Sequence, residues 1–216
     1  MLLSYQSNFC FIHIEKAAGS SIQDALQPWA DHKIRSRLRR RLAWLGPLNR
    51  IGGLYRAVQF PEHAIAREVQ RCLPPEVYAS LFKFAFVRNP WDRLVSRHAH
   101  LLRSTDRRRH SVVSRMENFE DFVNWEIQRN AFQHPYVTDE SGNRIVDFIG
   151  YYERLNEDFA EVCAHLKLQA DLPHANISPH RDYRTYYTPK TRELVAREFK
   201  RDIEMFGYTF DDLAGS

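Results

Sequence analysis

The chain has little cysteine and no long apolar run, and both absences exclude whole classes of protein. Only three of its 216 residues are cysteine, and none forms a C-x-x-C pair, which argues against a zinc ribbon, a dithiol redox site or a disulfide scaffold. No apolar stretch approaches the roughly 18 residues that span a bilayer, and the N-terminus lacks a basic segment followed by an apolar one. These absences predict a cytoplasmic protein.

Linkers and internal repeats are missing as well. The 8 glycines and 10 prolines never cluster into a flexible segment, and no period recurs along the chain. A hydrophobic content of 44% over this length suffices for one core. The sequence therefore predicts a single domain over residues 1–216.

Charge is nearly balanced, with a net charge of +4, but arginine outnumbers lysine by 25 to 6. Guanidinium groups match phosphate, sulfate and carboxylate in a bidentate manner. Basic residues are densest within residues 33–41 and 103–109. Such clusters are typical of a solvated surface, and binding of an anionic polymer is the alternative interpretation.

Short apolar segments alternate with helical patterns along the chain. The patterns predict strands at residues 9–14, 81–87 and 145–151, and helices at residues 20–26, 64–72, 90–98, 157–168 and 189–207. Strands that are apolar on both faces and alternate with helices predict an α/β fold: three α/β/α layers with a mainly parallel central sheet.

Ligands of open parallel sheets bind beyond the carboxyl ends of the strands, which directs attention to residues 15–21 and 88–96. The first of these turns opens a helix, whose free backbone N–H groups favour an anion. Gly19 allows close approach of the backbone, the serines that follow add hydroxyl donors, and Lys16 adds a cation. Because the lysine precedes the glycine, the loop is not a Walker A motif.

Both turns match motifs of one family. Residues 86–96 read Phe-Val-Arg-Asn-Pro-Trp-Asp-Arg-Leu-Val-Ser, and residues 14–21 read Ile-Glu-Lys-Ala-Ala-Gly-Ser-Ser. They resemble the Val-Arg-Asn-Pro-Trp-Asp-Arg-Leu-Val-Ser and Ile-Pro-Lys-Thr-Gly-Gly-Thr-Ser motifs of carbohydrate-type sulfotransferases and their bacterial relatives. Residues 148–155 and 187–208 resemble the later strand and the closing helix of that family. The resemblance implies a nucleotide-binding fold similar to that of the P-loop proteins.

The resemblance also implies an activity: in-line transfer of the sulfuryl group of 3'-phosphoadenosine 5'-phosphosulfate (PAPS) to a hydroxyl of a carbohydrate or similar polar acceptor. Lys16 would neutralise charge on the leaving oxygen, and Arg88 and Ser96 would bind the 3'-phosphate. The 5'-phosphate would be held by the loop residues Lys16, Ala17, Ala18, Gly19, Ser20 and Ser21. Sulfuryl transfer from PAPS needs no metal, and no spacing in the sequence suggests a metal site.

Removal of the proton from the acceptor hydroxyl requires a base. Histidine, with a free pKa of about 6.5, suits this role, and His63 is the predicted base because some members of the family carry a histidine at this place. Glu62 and Glu15 are the alternatives. Glu15 is also a departure from the family, which has proline there, whereas His13 is interpreted as a histidine of the core.

Other functions stay open at this point. The chain is alternatively a nucleotide kinase or NTPase with an unusual phosphate loop, a binding module for nucleic acid or another anionic polymer, or a family member that binds the product nucleotide without turnover. Of the anionic polymers, nucleic acid is not the expected partner. Residues 174–178 resemble a segment that closes over the nucleotide, with a plain surface loop as the alternative. Acceptor choice depends on residues 30–80 and 103–145, which the motifs leave unassigned.

Overall fold

The computed structural model describes residues 1–31, 53–173 and 181–211. The strands are β1 (Leu2–Ser4), β2 (Phe9–Ile12), β3 (Phe82–Val87) and β4 (Phe148–Tyr151). The helices are α1 (Gly19–Leu26), α2 (Ala66–Cys72), α3 (Pro75–Ser80), α4 (Pro90–Leu102), α5 (Arg107–Val113), α6 (Phe119–Gln128), α7 (His134–Val137), α8 (Leu155–Leu166), α9 (Pro189–Glu198) and α10 (Lys200–Phe206). Within these ranges no helix combines the length and the apolar character needed to cross a membrane.

The strands form one sheet in the order β1-β2-β3-β4. β2 pairs with β3 in parallel, with Phe9 opposite Phe82 and Phe11 opposite Phe84. β1, which the sequence analysis missed, pairs with β2 in the antiparallel direction. The α/β class is confirmed. The sheet is mixed, because the turn at residues 5–8 between β1 and β2 is short and a short turn can connect only antiparallel neighbours.

The chain divides into two compact units. The first comprises Met1–Phe86 and Pro135–His174, and the second comprises Val87–His134 and Ala175–Ser216. Each unit has its own hydrophobic cluster. The single domain over residues 1–216 stays a prediction.

In the first unit, aromatic side chains of β2 and β3 form the core. The rings of Phe11 and Phe84 stack with centroids 5.2 Å apart, and α1 and α8 cover them with residues that include Ile22 and Phe159. Gly150 in β4 lies against Phe86, whose ring atom Cε1 would be 2.5 Å from an added Cβ. The apolar strands predicted from the sequence therefore form the core of this unit together with α1 and α8.

In the second unit, helix α4 buries one face that includes Trp91 and Leu94. The helix begins as predicted, with Pro90 in its first turn and the Asn89 side chain accepting a hydrogen bond from the backbone N–H of Trp91. The long helix predicted over residues 189–207 is instead two helices, α9 and α10. They are separated at Phe199, whose φ of −95° and ψ of 17° interrupt the helical backbone.

Candidate functional site

The loop from Glu15 to Ala18 connects the end of β2 to helix α1 through an unusual backbone. Lys16 and Ala18 both have left-handed φ angles, of 67° and 61°, a conformation that costs a non-glycine residue about 1–2 kcal/mol. Backbone strain of this kind persists only where the surrounding structure holds it in place, and it is found mostly at ligand-binding and active sites. The loop turns the chain so that α1 begins directly at Gly19.

The N-terminus of α1 is suited to an anion. Among the described residues, no acidic side chain lies in its first turn and no side chain forms a capping hydrogen bond there. The first backbone N–H groups of a helix have no partner within the helix, and its dipole places partial positive charge at this end. Ser20 is exposed and Ser21 is buried, so the turn offers backbone donors, a hydroxyl at the surface and the nearby Lys16.

Glycine is required at position 19 because a side chain there would overlap the ring of His13, and not because of its backbone φ angle. A Cβ at this position would lie 1.8 Å from Cδ2 and 2.0 Å from Nε2 of His13. His13 is 4% exposed, which agrees with its interpretation as a core histidine. Burial lowers its pKa to about 3, with further lowering by the N-terminal ammonium and His63 and a partial offset by Gln23.

His63, the predicted base, lies beside this loop in the first unit. Its Nδ1 is 3.0 Å from the backbone carbonyl oxygen of His13, and its Nε2 is 3.6 Å from Oε1 of Glu15. A carbonyl oxygen only accepts, so Nδ1 carries the proton and Nε2 carries the lone pair. The structure thus orients His63 with its basic nitrogen towards Glu15, and Glu62 contacts His13 instead, with 3.5 Å between Oε1 and Nδ1.

Arg88 follows β3 in the second unit, and its side chain is buried. Nε donates to Oδ2 of Asp92 at 2.8 Å, one turn along the chain. Its backbone N–H donates to Oε1 of Gln133 at 3.0 Å, and Nε2 of Gln133 donates back to the Arg88 carbonyl at 2.8 Å. These contacts fix both the main chain and the guanidinium of Arg88.

Ser96 is fully buried on α4. It lies four residues after Asp92, so the two side chains share one face of the helix. Its predicted role at the 3'-phosphate stays a prediction. His98, two residues further, is half-buried against the rings of Phe119 and Phe122, and burial lowers its pKa.

A buried carboxylate that the sequence analysis left without a role anchors this second motif. Oδ2 of Asp202 accepts from the backbone N–H of Gln133 at 2.7 Å, and Oδ1 accepts from the backbone N–H of His134 at 2.8 Å. The ring Nδ1 of His134 is also 2.7 Å from Asp202. Gln133 therefore links Arg88 to helix α10, and no local spacing could reveal a contact over 45 and 69 residues.

Of the two arginine-rich clusters and the segment 174–178, the structure describes only the cluster at residues 103–109. The arginines of the second basic cluster are exposed, as expected for a solvated surface: Arg103, Arg107, Arg108 and Arg109. The last three lie in the first turn of helix α5, whose N-cap is Asp106. The arginine-rich residues 33–41 and the segment 174–178 lie outside the described residues.

Comparison with known proteins places these features in a family. The model of the sulfotransferase family matches residues 1–209. An uncharacterised protein of Archaeoglobus fulgidus is 38% identical over 91 residues, which are 41% of this chain and 70% of that protein. Mouse sulfotransferase SULT7A1, solved in complex with PAP, shares the fold with a TM-score of 0.54 at 17% identity, over 93% of this chain and 85% of the mouse chain.

Proposed function

Because the chain belongs to the sulfotransferase family, we propose that it transfers the sulfuryl group of PAPS to a hydroxyl of a carbohydrate or similar polar acceptor. The observation that carries this proposal is in the first unit, where His63 presents Nε2 beside the loop that holds Lys16. A cation at the start of a helix and a histidine with an available lone pair are the two groups that this reaction requires.

The loop over residues 16–21 fits the 5' end of the donor. The α1 N-terminus supplies N–H groups and positive potential to the 5'-phosphate, and Gly19 keeps the backbone free of a side chain. Ser20 and Ser21 add hydroxyl donors. We assign to Lys16 the stabilisation of charge that grows on the oxygen between phosphorus and sulfur.

The 3'-phosphate is assigned to Arg88 and Ser96. Asp92 holds the guanidinium of Arg88 through Nε, which orients the planar fork that matches phosphate geometry. Because Gln133 fixes the adjacent backbone on both sides, Arg88 does not need to be ordered when the nucleotide binds. Such preorganisation favours affinity.

The reaction balances with His63 as the base. PAPS supplies an activated sulfuryl group, and an S–O bond to the acceptor forms as the S–O bond to the 5'-phosphate breaks. Nε2 of His63 takes the proton of the acceptor hydroxyl, and PAP (3'-phosphoadenosine 5'-phosphate) leaves with the bridging oxygen. Glu15, 3.6 Å from Nε2, stabilises the protonated ring, which gives this carboxylate a place in a loop that otherwise binds anions.

The identity of the acceptor is not fixed by these groups. An acidic saccharide would meet the exposed arginines of residues 103–109, and the salt dependence of acceptor binding measures that contribution. The cytoplasmic location stays a prediction.

Comparison of PAP with ADP and ATP in a thermal-shift assay tests the proposal. The wild type is stabilised more by PAP than by ADP, because only PAP has the 3'-phosphate. Arg88→Ala weakens PAP binding about ten- to hundredfold and removes the preference, as hydrogen bonds to a charged group are worth about 1.5–3 kcal/mol.

Two further variants accompany this experiment, one as a control and one as a test of the second residue assigned to the 3'-phosphate. Arg108→Ala, on an exposed arginine of the same unit, keeps the preference for PAP. Ser96→Ala removes only a hydroxyl from a buried position and lowers the affinity for PAP while leaving that for ADP unchanged. Equal stabilisation by PAP and ADP in the wild type, or stronger stabilisation by magnesium-ATP, contradicts the proposal and favours the kinase alternative.

A further inference from the structure

Three side chains of the first unit form a cluster that the proposed reaction does not explain. His13, Glu62 and His63 each offer one potential metal-ligating atom, and these atoms lie within 4.8 Å of one another. Two of the residues are neighbours, but His13 is about 50 positions away, which is why no sequence spacing pointed to the cluster. Two imidazoles and a carboxylate are a donor set found in zinc sites of proteins.

The buried nitrogen of His13 is the second observation that points to a ligand. The side chain is 5% exposed, and among the described residues Nδ1 has no hydrogen-bond partner. It is 3.5 Å from Oε1 of Glu62, beyond hydrogen-bond geometry. A buried polar atom without a partner is costly and rare in folded proteins, and a cation held between Nδ1 and the carboxylate would satisfy both atoms.

The orientation of His63 is that of a metal ligand. Metal-binding histidines usually donate their other ring N–H to a carbonyl or carboxylate, which fixes the tautomer and the ring plane. Nδ1 of His63 has such a partner in the carbonyl oxygen of His13, at 3.0 Å. Its Nε2 lies 3.6 Å from Oε1 of Glu15, so a second carboxylate lies close to the same nitrogen.

The spread of the three ligand atoms, all within 4.8 Å of one another, is wider than in a closed zinc site. Ligand atoms at about 2.0–2.1 Å from a tetrahedral zinc ion lie about 3.3 Å apart. The pairs formed by His13 with Glu62 and by His63 with Glu15 are separated by 3.5 and 3.6 Å. The side chains must therefore draw together around an ion, and Glu62 is 61% exposed, so its carboxylate is able to move and an ion is able to enter.

We propose that His13, Glu62 and His63 bind a divalent transition-metal cation of the zinc class, with Glu15 as a neighbouring fourth donor. Imidazole and carboxylate ligands favour Zn²⁺, Ni²⁺ and Cu²⁺ over Mg²⁺ or Ca²⁺. The cation binds through the same lone pair of His63 that accepts the acceptor proton in the proposed reaction. On the proposed function, metal binding and removal of the acceptor proton therefore compete for this nitrogen.

Metal binding by the isolated chain tests this site without reference to sulfuryl transfer. Zn²⁺ is titrated calorimetrically into EDTA-stripped protein, and Co²⁺ is followed by its visible absorption, which reports coordination geometry. We expect one equivalent of each ion to bind. His63→Ala weakens binding at least about tenfold, since it removes a ligand together with the hydrogen bond to the His13 carbonyl that orients it, and Glu62→Gln weakens it by a smaller factor.

Matched variants locate the ion. His110→Ala, on a half-buried histidine of the second unit, binds Zn²⁺ as the wild type does, and so does Cys72→Ser, which removes a half-buried thiol. Glu62→Gln changes an exposed side chain and does not disturb folding, which keeps the test decisive should His63→Ala be unstable. No saturable binding by the wild type, or equal binding by Glu62→Gln and the wild type, overturns the proposal. Either result leaves the preference for PAP over ADP, and with it the proposed function, untouched.

Discussion

The Lys16 loop and the Arg88 turn both connect a buried strand to a helix, yet different forces stabilise them. The Lys16 loop depends on backbone geometry: two left-handed residues and a glycine pressed against a histidine ring. The Arg88 turn depends on polar side chains: the partly buried Asp92 and the buried Gln133 and Asp202 form one hydrogen-bonded chain through Arg88. The two strand-to-helix turns of this protein are thus fixed in different ways, one by a strained backbone and the other by a network of polar side chains.

The difference matches the chemistry proposed for each. Backbone N–H groups at a helix end must come close to a phosphate, so bulky side chains are excluded there. A guanidinium is long and flexible, and it recognises a phosphate only after its rotamers are restricted. Substitutions in the two turns separate the contribution of backbone geometry from that of the polar network.

The largest effect is expected at Lys16. Lys16→Ala lowers kcat about 10²- to 10³-fold, the usual cost of removing one preorganised group that stabilises transition-state charge. Nucleotide binding changes far less, because the α1 N-terminus and Arg88 remain. Steady-state kinetics with PAPS, together with PAP affinity, separate the two effects.

Lys200→Ala is the control for this experiment, since Lys200 is exposed and pairs only weakly with Glu204 at 3.6 Å. A Lys16→Ala enzyme that keeps kcat within about tenfold of the wild type, a barrier change below about 1.4 kcal/mol, would show that the strained loop serves structure alone.

An intermediate effect is expected at Asp202. Asp202→Asn places an amide where a carboxylate accepts from two backbone N–H groups, and one of them loses its acceptor. The free energy of unfolding falls by about 1–3 kcal/mol, the cost of an unsatisfied buried donor. The preference for PAP over ADP falls as well, because Gln133 no longer fixes Arg88.

Urea unfolding and the PAP thermal shift measure both consequences. Asp106→Asn serves as the comparison, because Asp106 is an exposed helix cap and asparagine caps about equally well. If Asp202→Asn loses stability but keeps the full preference for PAP, the Asp202 network supports the fold without positioning Arg88.

Local sequence patterns predicted the parts of this molecule that local chemistry determines. Pro90 after an apolar strand, and Gly19 before a helical pattern, correctly located both strand-to-helix turns. The β1 strand escaped detection because three residues carry too little periodicity. The break at Phe199 escaped as well, because its fully buried ring continues the apolar pattern of the preceding helix.

Contacts between distant residues were beyond the sequence. His63 could be named as a base, but not its hydrogen bond to the His13 carbonyl or its approach to Glu15, since both require the path of about 50 residues. Gln133 carries no motif at all. Its role arises from packing, and only the sequence position of Asp202 in a family-like closing helix hinted at that side of the network.

The smallest single effect, and the sharpest contrast, are expected at two adjacent positions of the Lys16 loop. Gly19→Ala destabilises the protein by about 1–3 kcal/mol, because the new methyl group overlaps the buried ring of His13. Ala18→Gly stabilises it by about 0.5–1 kcal/mol, because glycine adopts the left-handed φ of 61° without penalty. The family motif has glycine at the position of Ala18, so Ala18→Gly restores the residue of the family. Thermal unfolding of the two variants and of their double mutant measures these changes in stability. Changes of the same sign would show that backbone geometry does not hold the Lys16 loop, so that the two turns would not differ in how they are stabilised.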